Sequence, residues 1–341
     1  CYLAALLGLV WAWGGMALAW VTAWPLRYIL AVAKLLSELP GAVLFTGNRM
    51  VVWWLVLVYA MFGAAWLISR RRKVRYWIPA ACSVLALCAV LTVNAVQLQR
   101  TSTVTALDVS QGQSIVFSSG RACAVVDCGG RSTAEDPGDL AARKLFAQGH
   151  RSLDLLVLTH PHDDHVNGVL RLMHWLPVRT LVIPDAADTT QAPLSDILVL
   201  AEENHTAVVR VDAERTLTAG GISVHLYPEP CAGQEDGSMI VLTSIGTYDT
   251  LVPGDVDTTA EVKFLSSCTY PSIELLLVGH HGSKRSTSDV WLDAIAPDAA
   301  IISVGYNNYG HPTAETLERL QAHNIPIYRT DQMGDITVHL S

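Results

Sequence analysis

The segment LTHPHDDHVNG (158–168) places His160, His162, Asp163, Asp164 and His165 within six residues, directly after the apolar run LDLLVL (153–158). Neutral imidazole and carboxylate are the ligand types that suit Zn²⁺ or Mn²⁺. His160 and His162 are two apart, so an extended chain points both to one side. Asp164 and His165 reach a neighbouring position across the next turn. A single histidine here would read as a cap for the helical run GVLRLM (168–173), whereas the HxHxDH pattern points to a divalent-metal site.

Such a site needs a scaffold, and loops leaving strand ends are where sites tend to be built. From Thr101 onward, short β-branched and aliphatic runs read as strands: TVTALDV, SIVF, ACAVVDCGG, LDLLVLTH, TLVIP, ISVHLYP, SMIVLTSI, DTLVPGD, IELLLVGHH, AAIISVG and PIYRT. Helical patterns fall at 138–148, 168–176, 193–204, 256–265 and 313–323. The alternation predicts a layered α/β domain over residues 101–341 with no internal repeat.

Residues 1–100 differ in kind. They hold nine Lys or Arg and one acid, Glu38, while the rest of the chain holds 14 basic and 30 acidic residues, a net charge of −16. Mean hydropathy is +0.32 with 16% charged residues, too apolar for an ordinary soluble domain. Runs at 2–20, 51–69 and 76–97 each approach the roughly 20 uncharged residues that cross a bilayer, with Trp and Tyr near their ends. Three α-helical transmembrane spans are therefore expected, and the stretch PLRYILAVAKLLSELP (25–40), interrupted by Arg27, Lys34 and Glu38, is expected to be interfacial or packed on its neighbours. The loop RRRKVR (70–75) assigns itself to the cytoplasmic side. In a multi-pass protein of the cell membrane this puts everything after Arg100 outside, unless an upstream region sets the orientation. The chain starts at Cys1 without a basic leader, unlike a signal peptide; a lipid-modified cysteine is one alternative, and a fragment of a longer membrane protein is the reading adopted. Of seven cysteines, Cys123, Cys128, Cys231 and Cys268 could form disulfides outside the cell, and no CxxC spacing announces a thiolate zinc site.

HPHDDH resembles the HxHxDH signature of the metallo-β-lactamase fold, an αββα sandwich with one or two metals at the edge of its sheets. LVPGD (251–255) resembles that fold's strand-to-aspartate motif and implies that Asp255 bridges the metals. LLLVGHHGS (275–283) resembles its final histidine motif, with His280 the preferred ligand and His281 the alternate. LDVSQGQSIVF (107–117), VVDCGG (125–130), VGHHGSKRSTS (278–288) and ISVGYNNYGHPTAETLERL (302–320) resemble the C-terminal domain of ComEC-type competence proteins. In that family the domain follows a polytopic channel importing single-stranded DNA. The resemblance implies single-stranded DNA, the membrane and other DNA-uptake proteins as partners, with the upstream channel outside this chain.

Two departures matter. Family members commonly read DVGQGD where this chain has Asp108, Val109, Ser110, Gln111, Gly112 and Gln113, so the last carboxylate is absent; these positions look like sheet and turn, and the loss is expected to leave the metals alone. The fold's usual histidine between HxHxDH and the bridging aspartate is also missing: QEDGSMIVL (234–242) has none, and Glu235, Asp236, Gly237, Ser238 stand where the competence family has Asn-x-x-Ser. One metal position would have His160, His162 and Asp255, the other Asp164, His165, Asp255 and His280. The first is short of a ligand, which Asp236 is a candidate to supply directly or through water, so two divalent ions or only one are expected. His205 and His225 lie in segments that look structural.

Two ions about 3.5 to 4 Å apart convert water to hydroxide near neutral pH and stabilise the attacking and leaving oxygens of a phosphodiester. Asp164 and Asp163 are candidates to orient water or a ligand, and His311 to donate a proton or meet substrate, with turn stabilisation as its alternative. Ser283, Lys284, Arg285 and Asn308 are candidate phosphate contacts, an exposed loop being the alternative for Lys284 and Arg285; Ser286 is a further donor. The leading function is a DNA-uptake channel component whose outer domain is a metal-dependent nuclease degrading the strand that is not imported. The net charge of −16 opposes non-specific DNA binding, which keeps two alternatives in play: a metal-stabilised module that guides DNA without cutting it, or another envelope metallo-hydrolase.

Overall fold

The computed structural model describes residues 2–37, 49–98, 100–131, 135–228 and 238–340. The chain divides into two compact units, Cys1–Phe45 and Thr46–Ser341. In the first, α1 (Tyr2–Val10) is succeeded after Trp11 by α2 (Ala12–Ser37), and a Cβ on Gly15 would lie 2.4 Å from the Gly8 Cα, so the two glycines let the helices meet backbone to backbone. The span expected at 2–20 is thus corrected: the helix long and apolar enough to cross a membrane is Ala12–Leu36, and it absorbs most of the stretch expected to be interfacial. Arg27 and Lys34 are seven apart and so share one side of the helix, which leaves its remaining surface apolar; Glu38 lies outside the described residues.

The second unit begins with α3 (Arg49–Ser69) and α4 (Trp77–Leu98). Met50–Ser69 and Trp77–Leu98 also have membrane-crossing length and composition, giving three such helices among the described residues. The Trp54 indole N–H donates to the Ser83 carbonyl at 2.9 Å and ties the two together. The expected boundary at 100/101 falls between α4 and the first strand, inside this unit.

Beyond α4 the chain forms an α/β sandwich of two seven-stranded sheets. The first comprises β1 (Ser102–Ala106), β2 (Ile115–Ser119), β3 (Ala122–Val126), β4 (Leu153–Val157), β5 (Val178–Pro184) and β6 (Ala207–Val211), with β14 (Ile336–Leu340) returning to pair antiparallel with β1. β3 through β6 run parallel. The second sheet comprises β7 (Arg215–Ala219), β8 (Ile222–Tyr227), β9 (Ile240–Ile245), β10 (Tyr248–Val252), β11 (Leu275–Leu277), β12 (Ala299–Ile302) and β13 (Ile327–Arg329), antiparallel from β7 as far as β10 and parallel beyond it. Parallel strands are covered on both faces and read as unbroken apolar runs. All five residues of β3, ACAVV, are buried accordingly.

Val104, Phe117, Val126, Val157, Leu226, Val241, Val252 and Ile301 meet between the sheets. Outside the second sheet, α9 (Thr258–Ser267), α10 (Asp289–Ile295) and α11 (Ala314–Ala322) supply Phe264, Trp291 and Leu320 to a second core. α5 (Pro137–Ala147), α7 (Val169–Trp175) and α8 (Leu194–Glu203) bury Leu145, Leu172 and Ile197.

Glu261 of α9 is 1% exposed and accepts from the backbone N–H groups of Thr287 and Ser288. Burial raises its pKa, against the pull of those same bonds. It therefore pins the loop after β11, which carries His280 and His281, to the helix after Asp255. Each orphaned buried N–H costs about 1–3 kcal/mol, so Glu261→Ala is expected to lower unfolding free energy by roughly 2–6 kcal/mol. Urea denaturation checks this; an unmoved midpoint would show that water replaces the carboxylate without loss.

Candidate metal centre

Four strand ends converge on one edge of the sandwich. β3 runs into Asp127, β4 into Thr159 and His160, β10 into Gly254 and Asp255, and β11 into the turn Gly279–Gly282. α6 (Asp163–Val166) carries the rest of HxHxDH. Gly129 is required here because a Cβ would sit 2.4 Å from the His165 backbone nitrogen. The turn after β4 is thereby held against the turn after β3, where the Cys128 N–H donates to the His165 carbonyl at 2.8 Å.

At the centre of the support lies Asp127, fully buried with φ of 58°. One carboxylate oxygen accepts from the Thr159 N–H at 2.7 Å. The other accepts from the Gln113 amide, the Thr159 hydroxyl and His165 Nδ1, each at 2.7 Å. The Thr159 hydroxyl also lies 3.1 Å from His160 Nδ1. His281 Nδ1 donates to the Ser303 carbonyl at 2.8 Å. With Nδ1 as donor in each ring, all three imidazoles turn Nε2 inward, the arrangement that orients metal-ligating histidines.

Those Nε2 atoms of His160, His165 and His281 are buried without a hydrogen-bond partner, a costly state unless a cation satisfies them. His160, His165 and Asp255 form one group of mutually close ligand atoms, and Asp164, His165 and His281 another. Asp255 Oδ1 is 3.2 Å from His165 Nε2 and 3.9 Å from His281 Nε2. His281 Nε2 is 3.5 Å from Asp164 Oδ2. Burial opposes charge on Asp255 and Asp164, yet the surrounding histidines, His165 foremost for Asp255 and His281 for Asp164, hold both carboxyls well below the usual range. Burial likewise pushes His165 down, but Asp255 and Asp127 on its two sides outweigh it and raise the imidazole well above its ordinary value. Two buried carboxylates thus demand positive charge between them. Buried oxygens and imidazole nitrogens directed to one place fit a divalent metal.

The family model described as metallo-beta-lactamase superfamily matches residues 107–306. The chain belongs to the metallo-β-lactamase superfamily. Its curated relatives include ComE operon protein 3 of Bacillus subtilis (strain 168), 30% identical over 67% of this chain and 32% of that protein. Competence protein ComA of Neisseria gonorrhoeae is 29% identical over 68% of this chain and 31% of that protein. Recombination protein 2 of Haemophilus influenzae is 26% identical over 68% and 28%. The chain spans about a third of the length of these relatives, and the ComEC-type resemblance carried by LDVSQGQSIVF and VGHHGS agrees with them.

Within this metallo-β-lactamase framework the histidine pair sorts differently from the expected order. His281, the alternate, has a side chain 2% exposed and joins Asp164 and His165. His280, the preferred ligand for that position, has a side chain 40% exposed and faces the other oxygen of Asp255 at 3.6 Å. His162 packs edge-on against His160, ring centroids 4.6 Å apart. Asp236 lies outside the described residues. His225 contacts Thr216 and Ser223 on the second sheet, and neither it nor His205 lines the cleft.

A cleft of about 460 Å³ opens over the cluster, with Asp163, His162 and His311 on its wall. Asn307 clamps the His311 backbone through bonds of 2.8 and 3.0 Å. Burial, then His280 and His281, lowers the His311 pKa. Ser283, Lys284, Arg285 and Asn308 are not on this wall. Ser283 is 5% exposed with its hydroxyl turned to the Arg285 N–H, and Ser286 donates to the Val256 carbonyl, so both are internal to the turn. Lys284, Arg285 and Asn308 are exposed elsewhere. The cation and aromatic on the cleft are instead Arg131 and Tyr309, 3.4 Å apart. Neither is legible from spacing, because residue 131 and residue 309 meet only in the fold.

Proposed function

We propose that this chain is part of a membrane DNA-uptake system and that its metallo-β-lactamase domain is a divalent-metal-dependent phosphodiesterase cleaving the DNA strand that is not imported. The observation carrying this reading is a carboxylate, Asp255, on the floor of an open cleft, with His165 and His281 beside one oxygen and His160 and His280 beside the other. Competence relatives and three membrane-length helices support the setting. The cationic loop 70–75 supports a cytoplasmic turn and an extracytoplasmic catalytic domain.

His160, His162, Asp164, His165, Asp255, His280 and His281 would hold the ions. Bound divalent cations supply hydroxide near neutral pH and offset charge developing on phosphate oxygens. Asp163, exposed on the cleft wall, orients the attacking water, and His311, also lining the cleft, meets the substrate. Arg131 meets the phosphate. The domain's excess of acids weakens capture of free DNA, so substrate arrives from the uptake channel rather than from bulk solution.

The test is cleavage of end-labelled single- and double-stranded DNA by the detergent-solubilised chain with Mn²⁺ or Zn²⁺, beside Asp164→Ala and His165→Ala. Metal-dependent cutting that falls at least about 100-fold in both variants is expected, each having lost a ligand. Metal binding without cutting above the variants' level would leave the DNA-guiding module as the better reading.

A further inference from the structure

The missing third histidine leaves the first metal position with His160, His162 and one oxygen of Asp255. We infer that His280 completes that position, so that two consecutive histidines, His280 and His281, serve two different ions. This rests on the metal-centre reading and on no particular substrate.

Asp255 itself sorts the ligands. His165 and His281 approach Oδ1 at 3.2 and 3.9 Å. His160 and His280 approach Oδ2, each at 3.6 Å. Asp164 sits with His165 and His281, and His162 packs on His160. The nearer oxygen divides them into Asp164, His165, His281 and Oδ1 on one side and His160, His280 and Oδ2 on the other, where His162 joins through its ring packing on His160; His165 also stands beside His160 but lies closer to Oδ1. Each set has four donors, a full complement for tetrahedral Zn²⁺.

The backbone makes this possible. Consecutive side chains on an extended strand point to opposite faces. Here His280 has φ 50° and ψ 46°, and His281 has φ 53° and ψ 24°. Two successive left-handed residues that are not glycine are unfavourable, and such strain persists where the surroundings enforce it, typically at functional sites. The surroundings are visible: the His280 N–H donates to the Gly254 carbonyl at 3.0 Å, the Ser283 N–H to the His280 carbonyl at 2.9 Å, and His281 is anchored on Ser303. The turn therefore delivers one imidazole to each oxygen of the same carboxylate. His280, the more exposed of the two, stands edge-on to His311 with ring centroids 5.6 Å apart, on the cleft side of the cluster.

The experiment counts ions in the chelator-stripped full chain by calorimetric titration with Zn²⁺ and elemental analysis, with electron paramagnetic resonance of the Mn²⁺ form. Wild type is expected to bind two ions and show a spin-coupled Mn²⁺ pair. His280→Gly should bind one ion tightly, lose the second by at least ~10-fold in affinity, and show isolated Mn²⁺. Glycine accepts the left-handed backbone, so this variant should melt no lower than wild type without metal, which separates ligand loss from misfolding. His160→Ala combined with His280→Gly should still hold one ion, since both serve the same position. His280→Gly combined with His281→Ala should hold none tightly. Two ions retained by His280→Gly, or one tight ion in the His280/His281 double variant, would overturn the assignment. Loss of an ion in Asp236→Ala but not in His280→Gly would transfer the role to Asp236. A wild-type chain that binds no ion would overturn the metal centre and this assignment together, whereas failure to cut DNA with two ions bound would touch only the proposed activity.

Discussion

Asp255→Ala is expected to release both metal ions and to lower metal-dependent hydrolysis by roughly 10³-fold or more. This carboxylate has two histidines beside each of its oxygens, at 3.2 to 3.9 Å. Removing it takes one ligand and one shared negative charge from each position at once. The Lewis-acid contribution of bound metal is several kcal/mol, and each 1.4 kcal/mol is about tenfold in rate. Asp255→Asn separates charge from shape: it keeps one oxygen but presents an N–H₂ to the other side, so one ion should remain, more weakly held. Elemental analysis after desalting reads the count directly. Two ions still bound to Asp255→Ala would remove the bridging role and with it the division of ligands.

The candidate metal loop is legible in the sequence because its candidate ligands are adjacent there. HxHxDH needs only one turn to fold, and local spacing carries that information. Asp127 belongs to the motif VVDCGG, yet its role is invisible in one dimension, since its donors come from residues 113, 159 and 165. On sequence alone Gln113 reads as a sheet-or-turn position whose change leaves the metals alone; the structure places its amide on the carboxylate that bonds His165. The His280/His281 order is likewise closed to sequence, because the left-handed backbone that turns the two rings apart is imposed by Gly254 and Ser303 from other strands.

The same logic explains the fold. Strongly apolar runs such as LDLLV and ACAVV announce the central strands. β6, AVVRV, and β7, RTLTA, give no such signal: each buries one residue of five, so at the sheet margins neither alternation nor a continuous apolar run develops. β14 exists as a strand because β1, more than 200 residues earlier in the chain, offers it a partner from Ser102 to Ala106. α10 is hidden for a related reason: its Trp291, Leu292 and Ile295 form too short a pattern to separate from the loop before it, although Ser288 caps it at the Trp291 N–H.

Asp127 carries the second large effect. Asp127→Ala is expected to cost about 3–5 kcal/mol, the range for breaking a fully buried charge pair, here with His165 at 2.7 Å and both side chains 0% exposed. In a domain of this size each kcal/mol lowers Tm by roughly 2–4 °C, so a fall of about 10 °C is predicted for the metal-free chain. Asp127→Asn is the sharper experiment. Asparagine matches the volume but replaces one acceptor oxygen with a donor, and every group around Asp127 is itself a donor: the Thr159 N–H, the Thr159 hydroxyl, the Gln113 amide and His165 Nδ1. Either orientation of the amide sets N–H against N–H, unless Gln113 flips to offer its oxygen. The imidazole of His165 then loses its fixed tautomer, and loss of such a supporting partner lowers metal affinity about 10–100-fold. Asp127→Asn paired with Gln113→Glu tests the cause, because a carboxylate at 113 accepts from the new amide. Partial recovery of affinity in the pair identifies the donor clash as the defect; unchanged metal affinity in Asp127→Asn alone would show that His165 is positioned by the loop backbone and not by this carboxylate.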